Sequence, residues 1–221
     1  MPEFPIDFQA FDPEAELEIS HGHLPHWFQP GVVTFITFRL NDAMPKDVLD
    51  LWRKQLRDWL ARHSIEVSEF DPLPTWEKLP NELQTSYRKY RERVFHEYLD
   101  QGHGACHLRN RRFAEIVVDS LLHFDGKRYE LDCAVVMPNH VHLLAMFHSP
   151  TTCRDQCTSW THFTATKINS ILGRNGELWQ TEPFDHLVRS AEQFNYLRTY
   201  IAQNGPSAKL PSPDYLYLKN Y

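Results

Sequence analysis

Leu131-Asp132-Cys133-Ala134-Val135-Val136-Met137-Pro138-Asn139-His140-Val141-His142-Leu143-Leu144-Ala145-Met146-Phe147 decides the fold. Two apolar, β-favouring runs, about 128–137 and 140–148, flank a tight turn at Pro138-Asn139. So short a connection makes the two strands antiparallel, since a parallel pair needs a crossover of a dozen residues or more. Side chains two apart on a strand project to the same side. His140 and His142 can therefore share one metal ion while Val141 points away into the core. About sixty residues later a helical run carries Tyr196, Tyr200 and Asn204, each four apart and so on one helix face. A metal-binding histidine pair facing a tyrosine suits the cutting of a DNA strand by a tyrosine nucleophile.

Working outward, Val32–Leu40 is β-branched and aromatic and reads as a strand, with Arg39 near its end as an ordinary edge residue. Pro45 opens a helix whose apolar stripe is Val48, Leu49, Leu51, Trp52, Leu56, Trp59 and Leu60. A charged second helix is expected over 81–101, within an insertion at about 65–101. Further helices are expected over 112–124, 153–172 and 191–204, with a short extended pair in 177–188. Residues 1–30 read as an acidic, extended arm, 31–208 as the main domain, and 209–221 as a tail packed loosely on the surface. Interleaved helices and antiparallel strands predict an α+β fold: one antiparallel sheet with helices over it.

Composition permits this chemistry without demanding it. The 221 residues carry a net charge of −6, which argues against a nucleic-acid protein at first sight. Six of the acids lie in residues 1–19, and without them the chain holds as many bases as acids. Basic clusters stand at Arg88-Lys89-Tyr90-Arg91-Glu92-Arg93 and at Arg109-Asn110-Arg111-Arg112, each readable as a phosphate contact or as a solvated helix face. No apolar run is long enough to span a bilayer, so no membrane association is expected, and a cytoplasmic location follows as the default. Cys106, Cys133, Cys153 and Cys157 form no disulfide framework, and Cys153-x-x-x-Cys157 with His162 lacks the second cluster of a zinc knuckle.

With 13 His in the chain, chance alone supplies roughly one His-x-His. His21-Gly22-His23, in a polar Gly/Pro-rich segment, reads as that incidental case. The second pair differs in its apolar setting, although two core histidines satisfied by hydrogen bonds would look the same. If the pair is a ligand set, neutral imidazoles with a carboxamide as third ligand leave open positions on a divalent ion. A phenol with an ordinary value near 10 is only about one part in a thousand ionised at pH 7. A nearby metal or a base such as Lys167 can close that gap.

Met137-Pro138-Asn139-His140-Val141-His142-Leu143 resembles the signature of the HUH single-tyrosine transposases. Phe163-Thr164-Ala165-Thr166-Lys167-Ile168-Asn169, Trp179-Gln180-Thr181-Glu182-Pro183-Phe184-Asp185-His186 and Tyr200-Ile201-Ala202-Gln203-Asn204 resemble the REP-associated branch. The resemblance runs in order from about Gly31 to Ala208 and implies a ferredoxin-like α+β fold acting on hairpin-forming single-stranded DNA. It implies that His140, His142 and Asn204 hold Mg²⁺ or Mn²⁺. It implies, too, that Tyr200 attacks to leave a 5′-phosphotyrosine and a free 3′-OH. The family places its nucleophile four residues before the amide ligand, which selects Tyr200 and leaves Tyr196 as a packing residue. Where the family has Pro after the Asn, this chain has Gly205 and then Pro206. Lys167, His186, Arg109, Arg111 and Arg112 are candidate DNA or phosphate contacts. The alternative function is a domesticated module that binds hairpin DNA and cuts little. A metal hydrolase of small phosphoesters is a third, and the working unit is expected to be a monomer or homodimer.

Overall fold

A computed structural model describes residues 8–21, 25–65 and 80–220, in two compact units. The first, Met1–Asn41 with Cys106–Tyr221, contains the sheet. Its strands are β1 (Glu18–His21), β2 (Pro25–Phe28), β3 (Val33–Arg39), β4 (Tyr129–Val136), β5 (His140–Phe147), β6 (Phe184–Leu187) and β7 (Leu216–Lys219). The last five form one sheet in the order β6-β3-β5-β4-β7, antiparallel throughout, while β1 and β2 pair separately. With helices covering it, the fold is α+β.

Alternation along the strands assigns the two faces. Cross-strand pairs such as Thr37↔His142 and Phe35↔Leu144 put Val33, Phe35 and Thr37 on the same side as His142, Leu144 and Met146. The helix carrying the tyrosines, Ala191–Ser207, covers that side through Phe194, Leu197 and Ile201. On the other side Phe38 and Phe147 meet Trp160 of the helix Pro150–Leu172. Tyr129 also touches Trp160 and bonds the Leu121 carbonyl of the helix Arg111–Leu122. A β-bulge between Leu131 and Cys133 makes this division possible. The extra residue, Asp132, reverses the phase of β4, so Tyr129 faces one side and Cys133 and Val135 the other.

The second unit, Asp42–Ala105, contains α1 (Lys46–Arg62) and α2 (Asn81–Asp100); in chain order the three helices above are then α3, α4 and α5. Leu56, Trp59 and Leu60 of α1 pack with Tyr87 of α2. Ring contacts of Trp52 with Phe95 and of Trp59 with Tyr87 make the two helices antiparallel. The unit's ends are pinned together, with the Ala105 N–H donating to Asp42 Oδ2 at 2.7 Å. Gly104, at φ +84°, approaches so closely that a Cβ there would stand 2.4 Å from the Asp42 carbonyl oxygen. The insertion expected at about 65–101 overlaps this unit, and its residues 66–79 lie outside those described.

Several local expectations are corrected. Leu51 is 53% exposed and does not belong to the buried stripe of α1. The 177–188 region forms one strand, β6, and a single bridge between Leu40 and Trp179. α5 continues through Gly205 and Pro206 to Ser207. Pro206 has no N–H to give the Ala202 carbonyl, but it lies one residue before the helix end, so no long helical run follows that loss. The tail is no loose appendage: Leu216–Lys219 pairs with Val136–Cys133 of β4. Of the acidic arm, residues 1–7 and 22–24 lie outside the described residues, Gln9 bridges Val32, and β1 and β2 occupy much of the rest. Among the described residues no helix is long and apolar enough to cross a membrane.

Candidate active site

The turn that starts β5 is held from three sides. Met137 N–H donates to His140 O, Leu40 N–H to Asn139 O and Leu108 N–H to Pro138 O, at 2.8, 2.8 and 3.0 Å. His140 and His142 then enter the central strand with no solvent exposure, their ring centroids 4.6 Å apart. Each ring is anchored at Nδ1 by a neutral oxygen: Asn139 Oδ1 at 2.8 Å for His140 and Thr37 Oγ1 at 2.7 Å for His142. The Asn139 oxygen can only accept, so His140 Nδ1–H donates and its lone pair sits on Nε2; the Thr37 hydroxyl can accept from His142 Nδ1–H in the same way, which leaves that lone pair on Nε2 too. Anchoring of this kind fixes ring orientation in metal-binding histidines.

Tyr200 meets this pair. Its Oη stands 3.2 Å from His142 Nε2, within hydrogen-bond reach of a lone pair there. Phe35 supports the arrangement, its ring centroid 5.3 Å from His142 and 6.3 Å from Tyr200. One turn further along α5, Asn204 is 2% exposed. Neither its Oδ1 nor its Nδ2 has a hydrogen-bond partner among the described residues. A buried carboxamide without partners costs stability unless something outside the chain completes it. No three His, Cys, Asp or Glu side chains cluster closely enough to hold a metal among the described residues. An ion at the histidine pair would need a ligand of another kind, and a carboxamide such as that of Asn204 is a chemically suitable type.

Other candidates fall elsewhere. Lys167 lies on the exposed side of α4, its Nζ 5.8 Å from the Phe163 ring, and α4 covers the opposite side of the sheet. The expectation that Lys167 assists the phenol is therefore corrected: helical spacing marks a face but not which side of a sheet the helix covers. Arg109 pairs with Asp214 at 3.4 Å and Arg111 with Glu115 at 2.9 Å, and Arg112 is exposed at the start of α3. Neither α3 arginine lies on the side of the sheet that carries the imidazoles.

His186 does share that side. It pairs across strands with Phe35, its ring 5.1 Å from that phenyl, and its Nε2 stands 3.4 Å from Gln193 Nε2 of α5. Arg39 is not on an edge, because β3 runs between β6 and β5. It is the direct cross-strand partner of His140, on the same face, and burial pulls its guanidinium down to about 10, still cationic at neutral pH. Tyr196, expected to pack, is 67% exposed. Sequence reasoning missed Thr37 and Phe35, whose only sign was alternation with Val33 along β3. Gly22 and His23 of the other His-x-His lie outside the described residues.

No protein-family model and no curated protein matches the chain. Among solved structures it is similar to a REP-associated tyrosine transposase bound to a REP hairpin, at 13% identity and a TM-score of 0.38, over 82% of this chain and 71% of that one. It is also similar to a candidate transposase from Deinococcus radiodurans R1, at 13% identity and a TM-score of 0.29, over 80% and 93%.

Proposed function

We propose that this chain is a metal-dependent DNA strand transesterase of the REP-associated HUH transposase kind, acting on single-stranded DNA beside a hairpin. The observation that carries the reading is the 3.2 Å approach of the Tyr200 hydroxyl to His142 Nε2, on a strand 58 residues away. His142 Nε2 is placed to take the phenol proton as Tyr200 attacks a backbone phosphorus. The tyrosyl O–P bond forms as the bond from phosphorus to the 3′ oxygen breaks, leaving a 5′-phosphotyrosine and a 3′-OH. The phosphoester count is conserved, so rejoining needs no nucleotide cofactor. Arg39, cationic and in register with His140, is a suitable counter-charge for a phosphate.

His140, His142 and Asn204 would hold the divalent ion. When bound, Mg²⁺ or Mn²⁺ supplies Lewis-acid withdrawal of charge from a non-bridging phosphate oxygen. The His142 lone pair that accepts the phenol O–H is the same one that would ligate the ion. The two uses of His142 Nε2 are therefore alternatives: in the attack, where it takes the proton, His140 and Asn204 would be the residues left to hold the ion.

Incubating the purified protein with a hairpin-bearing single strand and Mn²⁺ tests the reading. A covalent protein–DNA adduct is expected, absent from Tyr200→Phe and from His140→Ala. An adduct that survives Tyr200→Phe overturns it. DNA that is retarded in a gel but never cut supports the alternative, a hairpin-binding module.

A further inference from the structure

The helix that carries Tyr200 shows solvent a stripe that the reaction does not use. Tyr196, Thr199 and Gln203, spaced three and four apart, form one stripe of α5, and Tyr196 and Gln203 stand four before and three after Tyr200, beside its face. All three are exposed. Tyr196 at 67% is the most exposed large hydrophobic side chain among those described. An amphipathic helix usually spends its exposed stripe on charge. Here the exposed positions nearest the phenol are an aromatic ring, a hydroxyl and an amide. Thr199 Oγ1 already bonds back to the Asn195 carbonyl, so the ring and the Gln203 amide are the groups presented outward. The nearest acid on this side, Glu192, lies a full turn before Tyr196 and is engaged with Ser190 at the helix start.

Charge makes the stripe's neutrality meaningful. The net charge of −6 comes from six acids in residues 1–19, and elsewhere acids and bases balance, so net charge gives a strand no general attraction. An uncharged lane beside the nucleophile neither draws nor repels phosphates, so a grip there has to come from contacts to the bases. A phenol ring held on a rigid helix offers what an unpaired base needs, a flat π-face at low entropic cost. Exposed single apolar residues are common and need no explanation by themselves. This one stands one helical turn, about 6 Å along the helix axis, from the backbone of Tyr200.

We propose that Tyr196 is a base-stacking platform: it receives the unpaired base next to the phosphate that Tyr200 attacks, with Gln203 as a hydrogen-bonding neighbour. The inference rests on the proposed reaction but concerns the grip on the strand rather than the cut. Tyr196 acts in binding, and its hydroxyl has no part in it.

The test uses the full chain and two fluorescein-labelled probes, a deoxythymidine 20-mer and a strand of equal length made of abasic sites. Tyr196→Ala should bind the thymidine strand about 5- to 100-fold more weakly than the unaltered chain, and Tyr196→Phe within about twofold of it. On the abasic strand all three proteins should bind alike. Circular dichroism should show the same helix content in each. Equal thymidine binding by Tyr196→Ala overturns the inference. So does a loss that persists on the abasic strand, or an unaltered chain that does not bind the thymidine strand. Adduct formation at Tyr200 is read separately. If it occurs with Tyr196 immaterial, the reaction stands and the platform falls; stacking without any adduct gives the reverse.

Discussion

Thr37 shows what a single atom contributes at this site. Its Oγ1 lies 2.7 Å from His142 Nδ1, and by accepting that N–H it leaves the lone pair on Nε2, the atom that Tyr200 approaches. Thr37→Val keeps the shape and deletes the acceptor. Adduct formation with Mn²⁺ should fall about 10- to 100-fold, as when outer partners of metal-binding histidines are lost. Stability should fall by about 1 kcal/mol, because a buried N–H loses its partner. Quench-flow adduct rates and urea melts check the two parts, and an unchanged rate would remove Thr37 from the site. A second residue-scale contact predicts a pH effect. His26 Nδ1 stands 2.6 Å from Asp185 Oδ2, and that bond raises the imidazole above its ordinary value despite partial burial. The raised value makes the pair stabilising below about pH 6.5, the reference for a free imidazole, and the gain is lost as pH rises through the raised value. Asp185→Asn should therefore lower the urea midpoint clearly at about pH 5.5 and much less at about pH 8.5. A gap that does not narrow would show that the bond contributes nothing through protonation.

Elements explain why the site converges and why only part of it could be read beforehand. The His-x-His pair was legible because strand periodicity is local and its turn was plain. Tyr200 was legible because helix periodicity is local and the flanking segment resembles a known one. Thr37 was not, because its value lies in cross-strand register with His142, which sequence does not display. Nor was the bulge at Asp132. Strict alternation along 129–135 would have sent Tyr129 and Val135 to the same side of the sheet. The buried Asp132 carboxylate instead meets Arg198 of α5 at 3.1 Å, tying the bulge to the helix that carries the phenol. β7 was hidden by Pro211 and Pro213, which disguise the short alternating run Leu216–Lys219. Gly205 is explained at this scale too. A Cβ there would stand 2.5 Å from the Tyr215 ring, so glycine lets the final segment lie against α5. Gly205→Ala should displace Tyr215 and loosen β7, costing about 1–3 kcal/mol. Amide hydrogen exchange at 216–219 should accelerate at least tenfold while that of β5 stays slow; unchanged protection at β7 would refute the packing argument.

At the scale of the molecule, charge sets how a strand would be held. Bases and acids balance outside the first nineteen residues, and several bases are already matched to carboxylates: Arg53, Lys54, Arg93, Arg109 and Arg111 each face one within 3.5 Å. The exposed stripe of Tyr196, Thr199 and Gln203 beside the phenol adds no cation that would displace counterions from DNA. The logarithm of the single-strand association constant should fall with the logarithm of salt at a shallow slope of about −2, corresponding to roughly three phosphates. Fluorescence anisotropy from 50 to 300 mM NaCl measures it, and a slope steeper than about −5 would reveal a basic surface that the paired side chains conceal. The pinned ends of the Asp42–Ala105 unit matter for how the chain finds its fold. Thr37 and His142 are 105 residues apart, a long excursion for an unfolded chain to close. Once the helical hairpin has formed and its two ends have met, the effective excursion shrinks to roughly 42 residues, worth ~0.8 kcal/mol of closure entropy. Asp42→Ala, which severs that early clasp, should slow refolding of the sheet about fourfold in a stopped-flow experiment while leaving the final fold intact.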